Sequence, residues 1–240
     1  MSGKLNRIMV GYSAIVTTIL AGAFATQAIS GTKVDSLGEI DVERINVRET
    51  DGTLRLVISN TDKMPGIIHK GTNYPHPNRR TAGMLFFNEE GTENGGLTFG
   101  GRRDANGKVV GSSGHLSFDQ FEQDQVVALT HGENDGQRRS GLSISDRPEN
   151  AMPFAEMGAF TKLAPAEQKA MVDKWVAEKR LGNTPRAFIG RSVDRSSAVM
   201  LSDAEGKPRI LMQVKADGEA AIQFLDAAGK VTKTVSPTSE

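Results

Sequence analysis

Short apolar runs separated by glycine-bearing turns recur along most of this 240-residue chain, and no other feature narrows its fold as much. Met84-Leu85-Phe86-Phe87, Leu97-Thr98-Phe99, Leu116-Ser117-Phe118, Val126-Val127-Ala128-Leu129 and Leu142-Ser143-Ile144 are strand-like. Gly91, Gly95-Gly96, Gly100-Gly101, Gly107, Gly111, Gly114, Gly132 and Gly136 fall between them. Strands so short and so closely spaced read as an antiparallel meander, not as βαβ units. The expected fold class is mainly β.

One turn recurs. Asp104-Ala105-Asn106-Gly107-Lys108, Asp203-Ala204-Glu205-Gly206-Lys207 and Asp226-Ala227-Ala228-Gly229-Lys230 share the form D-A-x-G-K. The Asp side chain caps such a turn, and Gly supplies the positive φ that closes a hairpin with a bulge. An EF-hand needs ligands at alternate positions of a 12-residue loop, which these segments lack. Around the last two copies, residues 198–231 read as four strands. Upstream, Ile40/Val42 and Ile45/Val47 alternate out of phase, which suggests a bulge. Leu54, Leu56 and Ile58 then point one way, with Arg55 and Ser59 the other, after an Asp51-Gly52 turn. Residues 64–80 contain Pro65, Pro75 and Pro77 and read as a long surface loop. A single helix is expected over about 165–181: Pro165 suits its first turn, Met171, Val172, Trp175 and Val176 make its apolar stripe, and Gly182 ends it.

The first 32 residues carry an address. From Ile8 to Thr32 there is no charged side chain, Lys4 and Arg7 precede the run, and Lys33 and Asp35 follow it. About 20 apolar residues span a bilayer, and a preceding basic flank favours the N-terminus inside. A membrane span over residues 8–29 is the leading expectation. A cleaved signal peptide, cut after Ala25 or Ala28, competes with it. The first places residues 33–240 on the periplasmic side of a bacterial inner membrane, and the second secretes them. The expected organisation is thus 1–32 anchor or signal, 33–150 β domain, 151–183 helical insertion packing on the sheet, and 184–240 a C-terminal pair of hairpins.

Composition removes several chemistries. Basic and acidic side chains number 29 each, so a nucleic-acid partner, which calls for a basic excess, is not expected. The absence of Cys excludes disulfides, thiolate nucleophiles and Cys-ligated metals. His69, His76, His115 and His131 have no compact ligand spacing, so neither metal nor cofactor is expected. The candidate catalytic groups are carboxylates around one turn, Glu89, Glu90 and Glu93, with His115 or Asp119. Two carboxylates, one of them raised by burial, can cleave a glycan by acid–base chemistry. Along a straight strand His115 and Asp119 stand about 13 Å apart. Asp119, Glu122 and Asp124 otherwise read as a polar strand face. The pairs Arg79-Arg80, Arg102-Arg103 and Arg138-Arg139 read as solvated charge, or as contacts for anionic lipid or glycan.

The segments Ile40-Asp41-Val42-Glu43-Arg44-Ile45-Asn46-Val47, Gly52-Thr53-Leu54-Arg55-Leu56-Val57-Ile58-Ser59-Asn60, residues 83–97 and residues 114–120 resemble a family of uncharacterised bacterial envelope proteins with one N-terminal hydrophobic segment and an exported domain. The resemblance covers roughly residues 38–150. It implies a cell-envelope location and brings no catalytic residue with it. The expected function is that of a membrane-anchored, extracytoplasmic β-rich protein with a scaffold or binding role. Many short strands with open edges suggest self-association, as a trimer or another closed homo-oligomer. Its further partners would be an envelope protein or glycan. The alternative is an exported glycan hydrolase using Glu89, Glu90 or Glu93 with His115 or Asp119.

Overall fold

The computed structural model describes residues 37–76 and 79–237, together with Ile15, Thr17 and Thr18. It divides into two units, Met1–Asp41 and Val42–Glu240, and the architecture that follows is that of the second. The expected membrane segment lies outside the described residues, apart from those three. Among the described residues no helix is long and apolar enough to cross a membrane.

The fold is mainly β. Its strands are β1 (Arg44–Arg48), β2 (Leu54–Ser59), β3 (Ile67–His69), β4 (Thr72–Tyr74), β5 (Ala82–Phe87), β6 (Glu93–Arg103) and β7 (Val109–Asp119). The series continues with β8 (Gln125–Asn134), β9 (Gln137–Asp146), β10 (Thr184–Arg191), β11 (Ser197–Ser202), β12 (Pro208–Val214), β13 (Ala220–Leu225) and β14 (Val231–Val235). Twelve of them form one antiparallel sheet in the order β1-β2-β5-β6-β7-β8-β9-β10-β11-β12-β13-β14, and β3 and β4 form a separate hairpin. Every neighbour in the large sheet is thus the next of its strands in the chain. The D-A-x-G-K turns close three of its hairpins. In each, Asp104, Asp203 or Asp226 accepts backbone N–H bonds from the residues two and four ahead. The glycine stands at φ +78 to +80°, and a bulge lies beside each turn.

Three expectations shift. The loop at 64–80 contains the β3–β4 hairpin, because Ile67 and Ile68 gain burial that outweighs the neighbouring prolines; both are under 9% exposed. The bulge expected between Val42 and Ile45 falls at Val47/Arg48 instead, and Val42 precedes the strand. In β2 Leu54 does not share a side with Leu56 and Ile58, because the bulge opposite Val47/Arg48 changes the phase: it lies in the core with Val57, on the side of Ser59.

Insertion and sheet are clasped together. The expected helix runs over Pro165–Ala177 (α2), after a 3-10 turn at Phe154–Glu156 and a short helix at Met157–Phe160 (α1). Trp175, 1% exposed, packs on Phe160 and donates its indole N–H to Glu156 at 2.9 Å. The β7–β8 turn holds the segment down: Gln120 donates to the Pro148 carbonyl, the buried Gln123 amide to those of Asn150 and Arg180, and the Met152 N–H to that of Glu122. Arg147 returns the grip through the Gln125 and Gly182 carbonyls.

The two faces of the sheet differ. One carries the core cluster of Leu54, Val57, Leu85 and Phe87, with Ile68 of the small hairpin against it. The other presents a row of apolar side chains that register carries across every strand. Ile45, Ile58, Met84, Leu97, Leu116 and Leu129 stand opposite one another in turn, followed by Leu142, Ile189, Val199, Met212, Ile222 and Val235. A neighbouring row holds Phe118, Val127, Ile144, Ala187, Leu201, Ile210 and Phe224. Leu129 is 54% exposed and Ile189 50%, and Phe118, Ile144, Leu201, Met212, Phe224 and Val235 are exposed as well.

Candidate functional site

Where the core face passes from β5 to β8, its apolar packing gives way to a polar cluster. Glu93 opens β6 opposite Phe87, which turns its carboxylate toward the covered side of the sheet. Arg79, from the segment after β4, meets it with both terminal nitrogens: Nη2 on Oε1 and Nη1 on Oε2 at 3.0 Å, each side chain 12% exposed. Such a two-pronged guanidinium–carboxylate pair fixes orientation as well as charge. Burial pushes the Glu93 carboxyl above its usual range, against the pull of Arg79 and of the Ile68 N–H.

Asp119 ends β7 after a register shift at Phe118/Asp119. Its Oδ1 is buried and has no hydrogen-bond partner among the described residues. Burial first, then repulsion from Glu93 and Asp124, raises this carboxyl to about 7, while Arg79 and Arg147 act in the opposite sense. Arg147 bridges to Asp124 at 3.2 Å. A carboxyl that keeps its proton near neutrality beside an Arg-paired carboxylate is the arrangement by which acid and base roles are separated.

Two small cavities adjoin these groups. His115 and Glu93 line one of about 160 Å³ with His76, Arg79, Ser117 and Gln125. Glu93 and Asp119 line the other, about 230 Å³, with Asp124, Gln123, Met152 and Phe154 of the insertion. Burial lowers the His115 and His76 imidazoles below the usual value, and Arg79 adds to the effect at His76. Of the candidate residues, Glu93, His115 and Asp119 therefore converge, although His115 and Asp119 border different cavities. Glu89 and Glu90 do not join them. They occupy the exposed β5–β6 turn, where Glu89 bridges to Arg55 at 2.9 Å and Glu90 reaches Lys70 at 3.9 Å.

Beside the cavities a second polar knot ties β3 to the insertion. Glu122 accepts from Lys70 Nζ at 2.6 Å and lies 3.2 Å from His69 Nε2, and the His69 ring stacks on Phe154 at 4.4 Å. Arg79, Asp124 and His76 belong to the site although the sequence marks them only as solvated charge, a polar strand face and a scattered histidine, and Gln123 is not singled out there at all. The available signal was Glu93 itself: a carboxylate opening a strand against a core residue needs a cation, and Arg79 ends a segment long enough to return.

Among the described residues no group of three or more His, Asp or Glu side chains is arranged to hold a metal ion. What the arrangement can do is move a proton at Asp119 and bind a very small polar group. No protein-family model matches the chain, and no curated protein matches it either.

Proposed function

We propose that the protein is a self-associating β-scaffold, held at a bacterial inner membrane by its N-terminal segment with residues 33–240 on the periplasmic side. One observation carries the self-association: the apolar row that crosses all twelve strands on the face away from the core. An antiparallel sheet with one solvated face normally alternates apolar-in and polar-out. Here the outward positions are apolar too, and no described strand or helix lies over them. Strands about 4.8 Å apart make a twelve-strand row roughly 50 Å long, and with the seven-strand row beside it the two cover on the order of 600 Å². That is at the upper end of the apolar patches a monomer exposes, and about three quarters of the roughly 800 Å² per partner of an ordinary stable interface.

The occupant that fits is a second copy of the chain. A face that spans the whole sheet is matched in length by the same face of another copy, and the balanced charge of 29 against 29 sets no net repulsion between copies. Beyond β10 the row lines an apolar trough of about 760 Å³, bordered by Ile189, Val199, Met212, Ile222 and Val235. Light scattering on the full chain in mild detergent, corrected for bound detergent, tests the reading. A closed homo-oligomer, a dimer where like faces pack together, supports it, and a monomer at micromolar concentration overturns it.

The convergence of Glu93, His115 and Asp119 favours a second reading, acid–base cleavage of envelope glycan. The cavity volumes weigh against it, because sites for small organic ligands occupy about 300–1,000 Å³ and a glycan chain needs an open cleft. Unchanged turnover of cell-wall glycan in Glu93→Gln would remove it.

A further inference from the structure

The three Arg-Arg pairs of the sequence divide in the same way. In each, one guanidinium is taken up by the fold: Arg79 by Glu93, Arg103 by the Gly107 carbonyl at 2.7 Å, and Arg138 by Glu133 at 2.9 Å. The other members, Arg80, Arg102 and Arg139, line a single groove of about 760 Å³. None of these three has an ion-pair partner among the described residues. Arg139 is held over the Phe188 ring at 4.7 Å, which sets its direction without neutralising it. The one carboxylate bordering the groove, Glu133, is already bridged through both oxygens to Arg138.

The floor of the groove carries glycines in neighbouring strands, Gly100, Gly111 and Gly132. Gly100, Ser113, Gly132 and Arg139 stand opposite one another across four strands, and Arg102 is opposite Gly111 on the same face. A Cβ placed on Gly111 or Gly132 would meet nothing within 4 Å, so there is open space directly above the strands. Thr81, Ser113 and Asn134 add polar side chains to the walls. From these observations we infer that the groove binds a ligand carrying several phosphate groups. Guanidinium forks match phosphate oxygens two at a time, and hydroxyl and amide donors complete the set. From β6 to β9 is three strand spacings, about 14 Å, so Arg102 and Arg139 border a space longer than a single phosphate. The volume lies within the range of ordinary small-ligand sites. The ligand chemistry is that of a soluble polyphosphate or of a diphosphate lipid headgroup.

Isothermal titration of the full chain distinguishes the two sources, with tripolyphosphate as one probe and short-chain diphosphatidylglycerol as the other. Short-chain phosphatidylcholine serves as the zwitterionic control. Binding of either anionic probe supports the site, and the tighter of the two names the source. Arg102→Gln and Arg80→Gln are each expected to weaken that probe about tenfold, the usual worth of one charge-assisted contact. Gly132→Leu, which fills the groove without touching a charge, is expected to abolish binding. Failure to bind both probes overturns the inference, as does binding that survives Gly132→Leu, which would mark surface attraction outside the groove.

Discussion

Replacing Asp119 by Asn should make this protein more stable, and the gain should grow as the pH rises. In the folded state burial and the neighbouring Glu93 and Asp124 carboxylates raise the Asp119 carboxyl from 3.8 to about 7. An unfolded chain releases this proton near 3.8, so between the two values the folded state holds more protons. Stability therefore falls as pH rises through that window and levels off above it. Each pK unit is worth about 1.4 kcal/mol, which places the cost of ionising Asp119 at about 4 kcal/mol at pH 8 and about 2 kcal/mol at pH 5.5. Asn cannot ionise, and Asp119 Oδ1 has no hydrogen bond to a described residue to lose. The advantage of Asp119→Asn over the parent should thus increase by about 2 kcal/mol between pH 5.5 and pH 8. For a domain of this size that is a difference in Tm of about 4–8 °C. Thermal unfolding of both proteins at the two pH values, followed by circular dichroism, measures it. An advantage that is the same at both, or a destabilised variant at pH 8, would refute the reasoning that places a strained carboxyl here.

Other perturbations probe other parts of the account. Arg79→Met strands the buried Glu93 carboxylate and should cost about 3–5 kcal/mol in urea unfolding, whereas Arg79→Met combined with Glu93→Met should recover most of the loss. Equal destabilisation by the single and double variants would contradict a paired origin for the cost. Gly95 sits at φ +123° with the Ser117 carbonyl 2.3 Å from where a Cβ would be. Gly95→Ala should therefore cost about 2 kcal/mol or more and lower the Tm by at least about 4–8 °C. The rings of Phe86 and Phe118 stack at 6.2 Å from the strands either side of Gly95. Trp175→Phe keeps an aromatic body but removes the bond to Glu156. It should cost about 1.5–3 kcal/mol, as for a hydrogen bond to a charged group, and urea unfolding of the variant measures it.

The strand content was legible because its causes are local. Each D-A-x-G-K turn is closed by its own Asp and Gly, so Asp104, Asp203 and Asp226 announce hairpins without help from distant residues. Helix α2 was legible for the same reason, from Pro165 and the good helix formers after it, although it ends at Ala177, short of Leu181. The covered face was not legible. Alternation assigns Leu56 and Ile58 to one side of β2 and cannot say which side is covered, and here both sides are apolar. Val57, 0% exposed, faces the core, and Leu56 and Ile58 belong to the open face. The β3–β4 hairpin was hidden by prolines whose effect two buried isoleucines overcome. At the site, Glu93, His115 and Asp119 could be nominated by residue type. Their shared environment depends on Arg79 returning from the segment after β4 and on the insertion closing over Gln123, both products of tertiary structure.

The central claim is that the open apolar face joins copies of the chain, and sedimentation velocity of the full chain carrying Leu129→Lys and Met212→Lys tests it most directly. Both side chains are exposed, so the core face is untouched and the unfolding transition should stay within about 1 kcal/mol of the parent, apart from stability contributed by association itself. The account predicts a closed oligomer for the parent and a folded monomer for the variant. An assembly that survives both charges, or a parent that is already monomeric, would contradict it.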